Sequence, residues 1–64
     1  MPIITVELLA GRTVAQKREL VEVLTRETAR IVGSSPASIF VVIEDVAKEN
    51  WGSGGKLLAD THPD

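Results

Sequence analysis

Few residues in this chain have side chains suited to catalysis. It contains no cysteine and no tyrosine, and its single histidine, His62, lies in a polar C-terminal stretch. Thiolate nucleophiles, Cys-ligated metals and disulfides are therefore excluded. Asp60, His62 and Asp64 are potential metal ligands, but a tail of this kind preorganises no coordination geometry, so no metal site is assigned. The run Gly52-Ser53-Gly54-Gly55-Lys56 is glycine-rich enough to approach a phosphate. However, Leu57 stands where a P-loop requires Ser or Thr and the upstream glycine spacing is missing, so the run reads as a turn. The distinctive chemistry belongs to Pro2. A Met-Pro start normally loses its methionine, because the second residue is small, and that would expose a secondary amine. Alpha-amino groups titrate near ~7.7–8.0, and apolar surroundings or a neighbouring cation lower this value toward working pH. Such a proline can act as base and then as acid without a histidine. With Met1 retained, the Pro2 nitrogen is an amide and has no basicity.

The elements that must hold these residues follow from periodicity. Ile3-Ile4-Thr5-Val6-Glu7-Leu8-Leu9 is β-branched and apolar apart from Thr5 and Glu7, which predicts a strand ending at Ala10-Gly11. Thr13-Val14-Ala15-Gln16 has the form of a capping box, so a helix starts there. Along it Val14, Leu20, Val21, Val23, Leu24, Ile31 and Val32 share roughly half the circumference, opposite Arg18, Glu19, Glu22, Arg26 and Arg30. Glu22 and Arg26 have favourable i,i+4 spacing, and Gly33 suits a C-terminal cap. The helix is expected over about Thr13 to Val32. A Ser34-Ser35-Pro36 turn leads to a second apolar strand, Ile39-Phe40-Val41-Val42-Ile43-Glu44. Both strands are too apolar for one wet face, which suggests a helix on one side and another subunit on the other. Two such strands joined by one helix form a βαβ unit with adjacent parallel strands. After the glycine-rich turn, Leu57-Leu58-Ala59 suits a short strand or hairpin arm, and the tail from Asp60 to Asp64 is expected to fray.

Composition bounds the rest. The chain has 64 residues, seven Lys+Arg against nine Asp+Glu, net charge −2 and 44% apolar residues, which describes a single domain over residues 1–64. Acidic and basic residues are interleaved, and only Phe40 and Trp51 could stack a base, so nucleic acid is not an expected partner. No apolar run approaches the ~18 residues of a membrane span, and no signal-peptide pattern is present, so a cytoplasmic location is expected. A chain this short buries only roughly 60% of its unfolded surface, and one core rarely yields more than about 3–5 kcal/mol. Oligomerisation is the expected remedy.

Taken together, Pro2-Ile3 opening a strand, Gly11-Arg12-Thr13 followed by Gln16-Lys17, and Ala47-Lys48-Glu49-Asn50-Trp51-Gly52-Ser53-Gly54-Gly55 resemble the 4-oxalocrotonate tautomerase family over nearly the whole chain. The resemblance implies an α+β fold. Its β-α-β unit would have parallel strands and a short C-terminal hairpin, dimerising into a four-stranded sheet with helices on one face, and three dimers would form a hexamer. It also implies a cofactor-independent isomerase without a metal, acting on an unsaturated 2-oxo or enol acid in aromatic degradation. Pro2, freed of Met1, would carry the proton between carbons. Arg12 matches the family arginine that binds a substrate carboxylate. Its planar fork suits that group, and its charge would also depress the Pro2 amine pKa. Trp51 matches an aromatic wall of the active site, and Ser38 falls where some members place a serine near the carboxylate, although turn chemistry explains a hydroxyl there equally well.

The sequence departs from the pattern at Phe40. The best-known members carry an arginine there that holds the 2-oxo acid end of the substrate. A phenyl ring donates no hydrogen bond, and losing one such donor commonly costs on the order of 10²–10³ in rate. Phe40 then shapes an apolar pocket for a substrate with one carboxylate, with Lys48 or Arg18 as candidate replacement cations. Two alternatives stay open. One is a hydratase or dehalogenase relative, with Glu44 or Glu49 activating water. The other is a non-catalytic subunit of a heterohexamer, which Phe40 favours.

Overall fold

In the computed structural model, which describes residues 2–63, the chain begins with strand β1 (Ile3–Leu9) and returns through helix α1 (Val14–Val32). A 3-10 turn (Pro36–Ser38) leads into strand β2 (Phe40–Val46). A second 3-10 turn (Lys48–Asn50) precedes the strands β3 (Gly52–Ser53) and β4 (Lys56–Leu57), and the short helix α2 (Leu58–Thr61) follows. The removal of Met1 and the ligand reading of Asp64 fall outside the described residues.

The two long strands are parallel and adjacent, in register from Ile3 opposite Phe40 to Leu9 opposite Val46. Single bonds extend the ladder at both ends. The Phe40 N–H donates to the Pro2 carbonyl at 3.0 Å, and the Ala10 N–H donates to the Val46 carbonyl at 2.9 Å. This register corrects the limits expected for the second strand. Ile39 instead closes the 3-10 turn, donating its N–H to the Pro36 carbonyl, and the strand continues through Asp45 and Val46 because Leu8 and Leu9 pair with them.

Helix α1 starts at the capping box. The Gln16 N–H donates to the Thr13 hydroxyl at 3.1 Å, and the Thr13 N–H donates to Gln16 Oε1 at 2.9 Å. It ends where Gly33 adopts a left-handed conformation (φ 74°), so that its N–H reaches the Ala29 carbonyl. Residues with a Cβ avoid that conformation. The expected Glu22–Arg26 pair does not form. Arg26 turns to Glu27 (3.7 Å), whose carboxylate is already held by Arg30 at 2.9 Å.

Burial alternates along both strands. Ile4, Val6, Leu8, Val41 and Ile43 are partly covered on the side that α1 packs against, where Leu20, Val23 and Leu24 are also partly covered. Among the described residues the only buried apolar side chain is Ile39, 8% exposed. The other sheet face lies open, with Ile3 68%, Phe40 49% and Val42 45% exposed. Four residues assigned to the buried helix stripe are instead exposed, Val21 at the margin of the stripe and Val14, Ile31 and Val32 at the helix ends. At the ends the cause is length. A 19-residue helix spans about 28 Å, whereas a seven-residue strand spans about 23 Å, so the helix ends overhang the sheet.

The glycine-rich run is a two-residue hairpin turn. Gly54 and Gly55 both have positive φ (61° and 84°), as the turn that matches strand twist requires. The frayed tail expected after it is corrected, because Leu58–Thr61 forms a helical turn. The Leu58 N–H donates to the Trp51 carbonyl at 2.8 Å, and the Lys48 ammonium donates to the His62 carbonyl, tying the segment to the second 3-10 turn. No helix among the described residues is long and apolar enough to cross a membrane.

Candidate active site

Parallel pairing gives the sheet two chemically different ends. Pro2, Ser38 and Phe40 lie at the end where β1 and β2 both begin. The sheet engages Pro2 through its carbonyl, which accepts from Phe40, so backbone pairing makes no use of its nitrogen. Pro2 is half-buried, and the buried Ile39 directly precedes Phe40, the residue that bonds it. Phe40 shares the open sheet face with Ile3. Ser38 serves the turn, since both its hydroxyl (2.7 Å) and its N–H (2.9 Å) donate to the Ser35 carbonyl.

Arg12 and Trp51 belong to the opposite end, beyond Leu9 and Val46. Arg12 lines a cavity of about 220 Å³ with Leu8, Gln16, Lys17 and Leu20. The capping box sets its position, because it fixes where the chain turns from loop to helix one residue after Arg12. Trp51, half-buried, lines a second cleft of about 270 Å³ with Glu7, Val46, Asn50 and Gly52. Its carbonyl is held by the Leu58 N–H.

One chain therefore sets Pro2, Ser38 and Phe40 at one end of the sheet and Arg12 and Trp51 at the other, the latter two in separate clefts. At the rise of a β-strand, β1 puts roughly 20 Å between Pro2 and Arg12.

The candidate replacement cations are not at the Pro2 end. Lys48 is engaged with the His62 carbonyl, and Arg18 is exposed on α1. Glu44 is exposed on the open sheet face beside its register partner Glu7, and Glu49 is exposed in the second 3-10 turn. The His62 ring lies 2.9 Å from the Thr61 hydroxyl through Nδ1. Among the described residues no cluster of three or more His, Asp or Glu could hold a metal ion.

Sequence reasoning did not assign Leu8, Gln16, Lys17 and Leu20 to the arginine cavity. The one-turn step from Gln16 to Leu20 along α1 was an available signal. No local signal marked the ion pair between the Lys17 ammonium and the Asp45 carboxylate, which lie 28 positions apart.

Comparison with known proteins places these features in a context. Residues 2–61 match the family described as tautomerase enzyme. The 2-hydroxymuconate tautomerase of Bacillus subtilis is 43% identical over 60 residues, spanning 94% of this chain and 97% of that protein. Among solved structures, a 4-oxalocrotonate tautomerase isozyme from Methylibium petroleiphilum superposes with a TM-score of 0.89 at 38% identity, covering 95% of this chain and 98% of the other. A heterohexameric 4-oxalocrotonate tautomerase from Chloroflexus aurantiacus superposes with a TM-score of 0.88 at 28% identity, covering 94% and 97%.

Proposed function

Since the chain belongs to the tautomerase enzyme family and is a tautomerase, we propose that it interconverts the enol and keto forms of an unsaturated 2-oxo acid by proton transfer through Pro2. With Met1 removed, the Pro2 amine takes the enol hydroxyl proton or a carbon-bound proton and returns a proton to the carbon that becomes saturated. The two transfers balance, so no cofactor is consumed. Arg12 anchors the substrate carboxylate, with a planar pair of donors matched to its two oxygens. Trp51 and Phe40 form apolar walls. Low polarity around the amine favours its neutral, proton-accepting form. Ser38 lies near the substrate while its hydroxyl proton remains committed to the turn.

The observation that carries this reading is the placement of Pro2 at the open end of the sheet, engaged through its carbonyl alone. The similarity to a 2-hydroxymuconate tautomerase supports an enol acid as substrate. Phe40 supports a substrate with one carboxylate and an apolar or aryl group at the proline end.

The separation of Pro2 from Arg12 implies that each active site draws the two from different subunits. We therefore include assembly in the proposal: two chains join their sheets edge to edge, and three such pairs make a hexamer. The hexamer is built of identical chains. Likeness to a heterohexameric relative supports a mixed assembly as the second reading.

The test pairs intact mass with ketonisation of phenylenolpyruvate on one sample. Protein lacking Met1 should be active by itself, and Pro2→Ala in the same assembly state should lose about 10²–10⁴ in kcat. Wild-type turnover in Pro2→Ala would overturn the proline mechanism. Met1-free homomer with no activity, restored by a second chain, would establish the mixed assembly.

A further inference from the structure

The cavity beside Arg12 contains more charge than a single carboxylate needs. Its lining includes two cations, Arg12 and Lys17, above the apolar floor of Leu8 and Leu20, and no acid. The first turn of α1 also carries no acidic residue, so the positive end of the helix dipole is left uncompensated there. Positive potential from these sources would favour a dianion, or any anion indiscriminately. One acid opposes it from outside the lining. Asp45 pairs in register with Leu8, one strand spacing away, and its carboxylate holds the Lys17 ammonium. The ion pair bridges β2 to the first turns of α1, and both side chains are partly shielded, 28% and 42% exposed.

We propose that the Lys17–Asp45 ion pair sets the net charge the Arg12 cavity presents, so that Asp45 and Lys17 tune affinity for the substrate carboxylate without touching the reacting carbons. This rests on the reading of Arg12 as the carboxylate anchor. Asp45 cancels Lys17 and leaves Arg12 as the single effective cation. The cavity's volume agrees with this task. At about 220 Å³ it is smaller than the roughly 300–1,000 Å³ of whole-ligand pockets, and it receives one end of a small acid. In the composite site the pair lies beside the carboxylate anchor, so a charge change here acts first on binding of the anion.

The test is a double-variant cycle on the assembled enzyme with phenylenolpyruvate as substrate. Asp45→Asn frees Lys17 to add a second positive charge and should lower KM by about three- to tenfold, the effect of one unit charge several ångströms away in a partly screened site. Lys17→Met leaves Asp45 unpaired beside the bound anion and should raise KM by a similar factor. The double variant should fall between the two. Both single shifts should act on KM more than kcat and shrink as ionic strength rises. Lys17→Arg, which keeps the pair, should resemble wild type far more closely than Lys17→Met, and comparing these two guards against a trivial folding effect.

If Lys17→Met and the double variant raise KM equally, Lys17 binds substrate directly and the proposal is overturned. If both single variants lower kcat or the melting temperature while KM stays fixed and insensitive to salt, the pair is a structural brace and the proposal is likewise overturned. Arg12→Ala, run in the same series, separates this from failure of the underlying reading. An unchanged KM in that variant would remove Arg12 as the anchor, whereas a raised KM with inert Lys17 and Asp45 variants would remove only the charge-setting role.

Discussion

Phe40 is the residue at which substrate choice is most open to experiment. It begins β2, its N–H fixes the Pro2 carbonyl, and its ring lies half-exposed on a sheet face that carries Ile3 and Val42. In the proposed site, an apolar surface there would reward an apolar substrate group and leave a second carboxylate without a partner. Phe40→Arg should therefore raise kcat/KM for 2-hydroxymuconate relative to phenylenolpyruvate by about 10- to 100-fold, the worth of one charged hydrogen bond. Steady-state kinetics on both substrates reads that ratio directly, and an unchanged ratio would remove Phe40 from the substrate pocket. In the sequence Pro2 stands out for the chemistry of a secondary amine and Arg12 through its match to a family motif, and the structure sets the first at the start of β1 and the second beside the capping box. Lys17 and Asp45 were not legible, because their contact exists only after the chain has crossed from β1 to β2 by way of α1.

At the scale of elements, local chemistry set the helix ends, and pairing set the strand ends. Four residues, Thr13 to Gln16, contain the whole reciprocal cap that the structure shows. Thr13→Ala removes one side of it and should destabilise the fold by about 1 kcal/mol, measurable as a lower urea midpoint at unchanged slope. Because Arg12 is the neighbour of that cap, the same variant should raise KM, which separates it from a distant destabilising change. The limits of β2 could not be read in the same way. Asp45 is a poor strand former, and only its partner Leu8 holds it extended. The final turn was equally hidden, since Leu58–Thr61 coils only where the Trp51 carbonyl and the Lys48 ammonium receive it. Val14 and Ile31 fit the apolar period yet stay exposed, because periodicity describes a helix face and says nothing of how far the sheet beneath it extends.

The whole molecule has the dimensions of a component. Its radius of gyration is 14.9 Å, with extents of 43 × 24 × 13 Å, whereas a compact chain of this length has about 11 Å. Its accessible surface is 4785 Å², against about 4,000 Å² for a monomer of this mass. Among the described residues, one buried apolar side chain and an open apolar sheet face leave little to stabilise the fold in isolation. The melting temperature should thus rise with protein concentration, and specific activity should fall on dilution as subunits part. A scanning series over a hundredfold range of concentration checks both, and a concentration-independent melt would mark a self-sufficient monomer. The separation of Pro2 from Arg12 along a single strand also has a genetic reading. On the proposed function, a chain lacking the proline and a chain lacking the arginine would each be strongly impaired alone, yet in a random mixture about a quarter of the composite sites would inherit both intact groups. Two loss-of-function alleles of one gene would then complement each other.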